Sequence, residues 1–398
     1  ELAYNQRKKP FGSLAARTLG DLYADTAQGA KNGIELAFDS ILKGHDGITH
    51  RQKVMNKYLN IVDIPPVDGC DLLSTIDVGM QDICEKALTD KLKELNASVG
   101  VAVLMEVATG EVKAIVNMTK AGDGNYYEMR NNAISDMLEP GSTFKIVTAL
   151  DYFRQKGSLE GYSYLCQGSI TVDDHTIQCD NGAVHGQEDF YSAFAHSCNC
   201  AFADMGLGLG GDTLKSTAED LLFNRALPLN SYKTSRFTLD KDSPNALVMQ
   251  TSIGQGNTLV SPMHMALITS AIANDGVLMK PTMIDKIVNN SGDTVRETEK
   301  TEYKRLMTRN EANILGKLMK NVVENGTASA LNGRGYTVAG KTGSAEFDEN
   351  GSSHSWFVGY SNVDDPDIAI AVIVENGGTG SEAAVPIAAD VFDAYYFD

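Results

Sequence analysis

The sequence predicts a mixed α/β fold: one central sheet assembled from distant parts of the chain, with a helical lobe packed on one side. Three observations lead there. Short apolar runs with strand character lie at residues 72–76, 99–107 and 112–116, and again at 337–340, 355–360 and 368–374. The stretch between these groups carries mainly helix and loop signals, and a helix-like segment at 383–395 closes the chain. With 398 residues, 42% hydrophobic and 22% charged, the composition is that of an ordinary globular protein of two or three domains, which argues against disorder.

The elements follow in order. Residues 1–70 are mixed, with breakers at Pro10, Gly12, Gly29, Gly33, Gly44 and Gly47, a basic cluster Arg7-Lys8-Lys9 that reads as a solvated turn, and a helix-like stretch at 34–42. Pro65-Pro66-Val67-Asp68-Gly69 is the clearest linker signal. After the strand at 72–76, Asp77 suits the N-cap of a helix from 78 to about 95. A hairpin is expected from 99–107 and 112–116, joined by Ala108-Thr109-Gly110-Glu111. Beyond a helix beginning near Ser142, helix and loop are expected to about residue 330. Within that region Ser169-Ile170-Thr171-Val172 alternates like a hairpin strand between Cys166 and Cys179. Spacing alone leaves open whether those two sulfurs form a disulfide or remain thiols.

Charge and hydropathy exclude some functions. Against 34 basic side chains stand 52 acidic ones, a formal charge of -18 that argues against a nucleic-acid surface and a polybasic membrane patch. No run of eighteen apolar residues occurs, and the longest convincing one, 368–374, reads as a buried strand. The chain opens on Glu1 with no initiator methionine or signal pattern, so an upstream segment such as a membrane anchor is expected.

Three short motifs could carry chemistry. In Glu139-Pro140-Gly141-Ser142-Thr143-Phe144-Lys145, a breaker precedes a serine at a helix start, and residues three apart share a helix face. Lys145 would therefore bring its amine near the Ser142 hydroxyl, and it can act as a base if burial and nearby positive charge lower its pKa. Alone, this pattern more often marks an N-cap beside a solvated lysine. Ser197-Cys198-Asn199 follows, with a hydroxyl able to relay a proton and an amide able to bind a carbonyl; its bland reading is a helix turn of small residues. Lys341-Thr342-Gly343-Ser344 would present a cation and a hydroxyl to a carboxylate, with Gly343 allowing close approach to the backbone. Its bland reading is an edge strand guarded by a lysine.

Each motif is weak alone, but the ordered set Ser-x-x-Lys, Ser-x-Asn and Lys-Thr-Gly is the signature of penicillin-binding proteins and class A β-lactamases. Over nearly its whole length the sequence resembles class B, monofunctional penicillin-binding proteins. Further residues carry the likeness: Leu73-Ser74-Thr75-Ile76-Asp77 with Gln81, Thr109-Gly110-Glu111, Ser252-Ile253-Gly254-Gln255-Gly256, Ser261-Pro262, Gly326-Thr327-Ala328 and His354-Ser355-Trp356-Phe357-Val358-Gly359-Tyr360. The stretch from Phe11 to Gly20 and Gly33-Ile34-Glu35 resemble the end of that family's pedestal domain. The resemblance implies a partial pedestal at 1–70 and a transpeptidase domain at 71–398, with an antiparallel sheet flanked by helices. It also implies Ser142 as nucleophile, Lys145 as base, Ser197 as proton relay and Asn199 orienting the substrate amide. Lys341, Thr342, Gly343 and Ser344 would bind substrate, the N–H groups of Ser142 and Ser344 forming an oxyanion hole. Cysteine at the variable position of the second motif and Ser344 in place of the commoner threonine remove no group that this chemistry needs.

The implied function is peptidoglycan D,D-transpeptidation. A stem peptide ending in D-Ala-D-Ala is the donor, an amine of a second stem the acceptor, and β-lactams acylate the same serine. The resemblance further implies work outside the cell membrane, with a membrane glycosyltransferase as partner in a division or elongation complex. Hydrolytic alternatives are a D,D-carboxypeptidase or a β-lactamase; a class A β-lactamase would carry Glu-x-x-Leu-Asn between the second and third motifs, and none occurs. A non-catalytic β-lactam sensor or scaffold is the alternative from another class. No cofactor is expected. His196, Cys198 and Cys200 suggest no metal site, because alternate residues on a helix diverge and no Cys-x-x-Cys or His-Glu-x-x-His spacing is present. Gly206-Leu207-Gly208-Leu209-Gly210-Gly211 follows a predicted helix rather than a strand and reads as a loop, not a nucleotide cradle.

Overall fold

The computed structural model describes residues 7–24, 28–230, 232–346 and 353–397. They fall into two compact units, one formed by 1–75 with 282–299 and the other by 76–281 with 300–398.

The described residues of the first unit include three short α-helices, Ala16–Leu19, Gly33–Ala37 and Asp39–Leu42, and a hairpin, Ile48–Val54 with Lys57–Ile64. The stretch 34–42, expected as one helix, is interrupted at Phe38. Arg7 and Lys9 of the basic cluster are paired, with Glu35 at 2.7 Å and Asp21 at 3.1 Å respectively. Asp71–Ser74 pairs with Ile284–Val288, which pairs with Thr294–Glu297, so a distant excursion completes this unit's three-stranded sheet. These later strands contradict the expectation of helix and loop up to residue 330. They are short, and Thr294–Glu297 is exposed throughout, so no buried alternation marks it in the sequence.

The second unit is built on a six-stranded antiparallel sheet. Its order is Val338–Glu346, Ser353–Ser361, Ile368–Glu375, Val99–Glu106, Val112–Lys120 and Tyr126–Tyr127. Strands from both ends of this unit thus lie side by side. The strands Ser353–Ser361 and Ile368–Glu375 are buried almost throughout, and the second, covered on both faces, lacks polar alternation and reads as an apolar run.

Helices Val78–Leu95 and Ala384–Phe397 pack on each other and on the sheet, while Pro262–Ala273, buried over eleven of its residues, packs against its central strands. Asp77 caps Val78–Leu95 by accepting from the Met80 N–H at 2.9 Å, and Asn96 ends the helix in a left-handed conformation. Inside, the Gln81 amide donates to Ile115 O at 3.0 Å and accepts from Ile115 N–H at 2.8 Å. Both ends of that buried amide are satisfied, which stitches the helix to the strand Val112–Lys120 in one register.

The lobe beside the sheet includes helices Lys145–Lys156, Phe190–Ala195, Asn199–Leu209, Gly211–Asp220 and Asn245–Ser252, with two small two-stranded ribbons. The glycine stretch 206–211 is not a loop as expected: Gly206 to Leu209 continue the helix, which breaks at Gly210. A Cβ on Gly206 would stand 1.7 Å from Ser252 Oγ, so the glycine is there for close helix packing.

Candidate active site

Ser142 lies in a single 3-10 turn, Gly141–Phe144, that runs directly into the α-helix Lys145–Lys156. In a 3-10 turn, side chains three apart eclipse rather than merely share a face, which aims Lys145 back at the serine. Lys145 Nζ lies 2.9 Å from Ser142 Oγ.

The turn is held from both sides. Gly141, at φ 50°, donates its N–H to Gly254 O at 3.0 Å, and a Cβ on Gly254 would lie 1.9 Å from Gly141 O. Trp356 Nε1–H donates to Glu139 O at 3.0 Å, fixing the approach to the turn. Both glycines permit backbone contacts that no other residue would.

The second motif arrives at the corner between helices Phe190–Ala195 and Asn199–Leu209. Ser197 sits at φ 57°, a left-handed conformation that costs a non-glycine residue about 1–2 kcal/mol. The corner is tied by Cys198 N–H donating to Ala193 O at 2.9 Å. Lys145 Nζ lies 2.6 Å from Ser197 O, 3.2 Å from Ser197 Oγ and 2.7 Å from Asn199 Oδ1. The Asn199 amide donates to Gln178 O at 2.9 Å, and that bond fixes which of its atoms faces the lysine.

The third motif lies within Val338–Glu346, the edge strand of the sheet, which continues the apolar run at 337–340 through the motif itself. Lys341 Nζ donates to Ser197 Oγ at 2.9 Å, so that hydroxyl stands between two lysines. Thr342 Oγ1 shares a hydrogen bond with Thr327 Oγ1. Gly343 pairs with Trp356, and a Cβ on it would press at 3.0 Å on both Pro140 O and Thr143 Cγ2. Ser344 Oγ accepts from Gly380 N–H at 3.3 Å. The eight residues singled out from the sequence therefore converge, although Ser142, Ser197 and Lys341 are far apart in the chain.

Both lysines are fully buried. Burial brings Lys145 down to about 8, and burial followed by the charge of Lys145 holds Lys341 well below the usual lysine range. Aromatic faces complete their surroundings, Phe202 5.5 Å from Lys145 Nζ and Phe194 5.5 Å from Lys341 Nζ. Sequence reasoning gave no role to Phe194, Phe202 or Thr327. The first two flank the Ser-Cys-Asn motif, and Thr327 stood in the quoted Gly326-Thr327-Ala328 stretch, but nothing local tells that it meets Thr342.

The arrangement supplies a hydroxyl activated by a buried amine. Ser197 O accepts only, and so does Asn199 Oδ1. A neutral Lys145 therefore gives its two N–H groups to these atoms and turns its lone pair to the Ser142 hydroxyl.

The penicillin binding protein transpeptidase domain family matches residues 100–393. Stage V sporulation protein D of Bacillus subtilis is 28% identical over 97% of this chain and 63% of its own length, so the chain spans less than two thirds of that relative. Peptidoglycan D,D-transpeptidase PbpA of Mycolicibacterium smegmatis is 27% identical over 90% of this chain and 78% of its own. Among solved structures, the D,D-transpeptidase domain of a peptidoglycan glycosyltransferase from Eggerthella lenta superposes with a TM-score of 0.82 at 25% identity, covering 98% of this chain and 92% of that one. Penicillin-binding protein A from M. tuberculosis, solved as its penicillin G acyl-enzyme, shares the fold with a TM-score of 0.82 at 23% identity, over 97% of this chain and 93% of that one.

Proposed function

Because the chain belongs to the penicillin-binding protein transpeptidase family, we propose that it is a class B peptidoglycan D,D-transpeptidase working through a serine acyl-enzyme. The observation that carries this reading is the placement of Lys145 Nζ, buried and 2.9 Å from Ser142 Oγ, with its other partners accepting N–H groups.

Ser142 Oγ attacks the carbonyl between two terminal D-alanines, and its proton passes to Lys145 Nζ. The N–H groups of Ser142 and Ser344 hold the oxyanion that forms. As the C–N bond breaks, the proton travels from Lys145 through the Ser197 hydroxyl to the leaving D-alanine amine. An amine of a second stem peptide then attacks the acyl-enzyme, giving up a proton by the same route and releasing Ser142. Asn199 orients the donor amide, and Lys341 with Thr342 binds the terminal carboxylate, Thr327 fixing the Thr342 hydroxyl. A β-lactam enters as a mimic of the donor and stays on Ser142.

The first unit would serve as a pedestal, the enzyme standing outside the cell membrane beside a membrane glycosyltransferase of a division or elongation complex. Among the described residues no helix is long and apolar enough to cross a membrane.

A stem-peptide thioester with an added amine acceptor tests the activity. Transfer to the amine is expected. Hydrolysis alone would point to a carboxypeptidase or β-lactamase, and no turnover with intact penicillin binding would point to a sensor.

A further inference from the structure

The Ser-Cys-Asn corner carries a second constellation. Cys166 ends the strand Tyr164–Cys166, which pairs with Gly186–Glu188 so that Gly186 faces Cys166 and His185 comes alongside. Cys179 follows the strand His175–Gln178, and Cys198 caps the helix Asn199–Leu209. The three sulfurs and a His185 ring nitrogen all lie within 4.8 Å of one another. We propose that Cys166, Cys179, His185 and Cys198 hold one zinc ion, a structural site that fixes the corner bearing Ser197 and Asn199.

The spacings fit such an ion. Two thiolates each ~2.3 Å from a tetrahedral zinc sit roughly 3.8 Å apart, and a thiolate and an imidazole nitrogen roughly 3.5 Å apart. Cys166 Sγ to Cys179 Sγ is 3.7 Å, Cys179 Sγ to Cys198 Sγ is 3.7 Å, and Cys166 Sγ to His185 Nδ1 is 3.5 Å. A disulfide would need its sulfurs at about 2.05 Å. The disulfide left open for Cys166 and Cys179 is not formed, and none of the six cysteines is in a disulfide.

The surroundings also suit metal-bound thiolates. Gly168 N–H and Ala201 N–H each point at a sulfur, Cys166 and Cys198 respectively, at 3.4 Å. Backbone donors of this kind disperse thiolate charge and orient the ligand. The His185 ring lies parallel to that of His196 at 5.7 Å, and His196 bonds Glu188 through Nδ1 at 2.8 Å. Four protein ligands close the coordination sphere, which makes the site structural rather than catalytic.

The fold gives the ion something to do. The segment 164–188 contains two two-stranded ribbons, too small to hold a core of their own and resting on the helices Asn199–Leu209 and Asn245–Ser252. Zinc would bind them to the catalytic corner, where the Gln178 carbonyl, next to Cys179, holds Asn199. Sequence reasoning rejected a metal at His196, Cys198 and Cys200; of these only Cys198 belongs to the set, its partners coming from segments up to 32 residues earlier in the chain. Cys200 approaches Cys179 at 3.4 Å but lies outside the group.

The test is elemental analysis of the purified chain, with cobalt(II) titration of chelator-treated protein under reducing conditions. One zinc per chain and a sulfur-to-cobalt charge-transfer band are expected. Cys166→Ser and His185→Ala should lose the metal, and Cys200→Ser should keep it. Chelation should lower the thermal midpoint and slow acylation by penicillin, zinc restoring both. A reduced chain that takes up neither metal would overturn the site, as would loss of metal in Cys200→Ser equal to that in Cys166→Ser. A Cys166–Cys179 disulfide peptide from the native protein would do the same. Zinc bound by a chain that forms no penicillin adduct would support the site and count instead against the transpeptidase reading.

Discussion

Lys145 shows how a single residue acquires its chemistry from burial. Its pKa of about 8 lies below the ordinary 10.5, so the free amine grows as pH rises toward and past 8. Acylation by a penicillin should therefore speed up roughly tenfold per unit below that pH and level off above it. Rapid-quench kinetics across this range checks the profile, and a flat one would remove Lys145 as the base. The same shift means that the folded chain binds fewer protons than the unfolded one between about 8 and 10.5, so the cost of burying this amine eases as pH rises through that window. Substituting Ser142 by alanine should abolish the covalent adduct seen by intact-mass spectrometry while leaving the thermal midpoint near that of the parent. The residue types of Ser142 and Lys145 are plain in the sequence. Their protonation is not, because desolvation depends on residues distant in the chain.

At the scale of elements, the catalytic turn is positioned by close backbone contacts. Gly254 is at φ 85°, and alanine there would drive a methyl group into Gly141 O. Gly254→Ala should displace the Ser142 turn and cut the acylation rate by about 10²-fold, a loss typical of misplacing reacting groups by an ångström. Gly206→Ala gives the contrast. It overpacks the contact with Ser252 and should destabilise the protein by about 1–3 kcal/mol with the acylation rate little changed. Denaturant melts beside acylation kinetics separate the two. Helix Val78–Leu95 was legible from its Asp77 cap, since capping is settled by neighbours in sequence. The glycine stretch at 206–211 was misread as a loop, because glycine's local preference yields where two helices must touch.

At the scale of the whole molecule, acid should weaken the second unit through His264. This side chain is fully buried in the helix Pro262–Ala273, with Leu221 O at 2.7 Å from Nε2 and Ser235 Oγ at 2.7 Å from Nδ1. The carbonyl needs an N–H, so Nε2 donates and Nδ1 accepts from the serine. Burial lowers the His264 pKa from 6.5 to about 4. A depressed histidine contributes stability above its unfolded pKa and loses it as pH falls, here between about 6.5 and 4. The loss is about 3 kcal/mol at full effect, a large part of the roughly 5–15 kcal/mol that holds a typical domain together. Urea melts at stepped pH should show this slope in the parent and lose much of it in His264→Gln.

By itself the sequence determined the mixed α/β class, helices Val78–Leu95 and Ala384–Phe397, most strands of the central sheet, and the three motifs, because caps, breakers and hydrophobic alternation are set by residues a few positions apart. Tertiary structure alone decided the rest. It joined strands Ile284–Val288 and Thr294–Glu297 to the first unit, carried Thr327 to Thr342, and gathered Cys166, Cys179 and His185 around Cys198. Such meetings depend on which strands pair and which faces are buried, and those choices minimise the free energy of the entire chain rather than of any window along it.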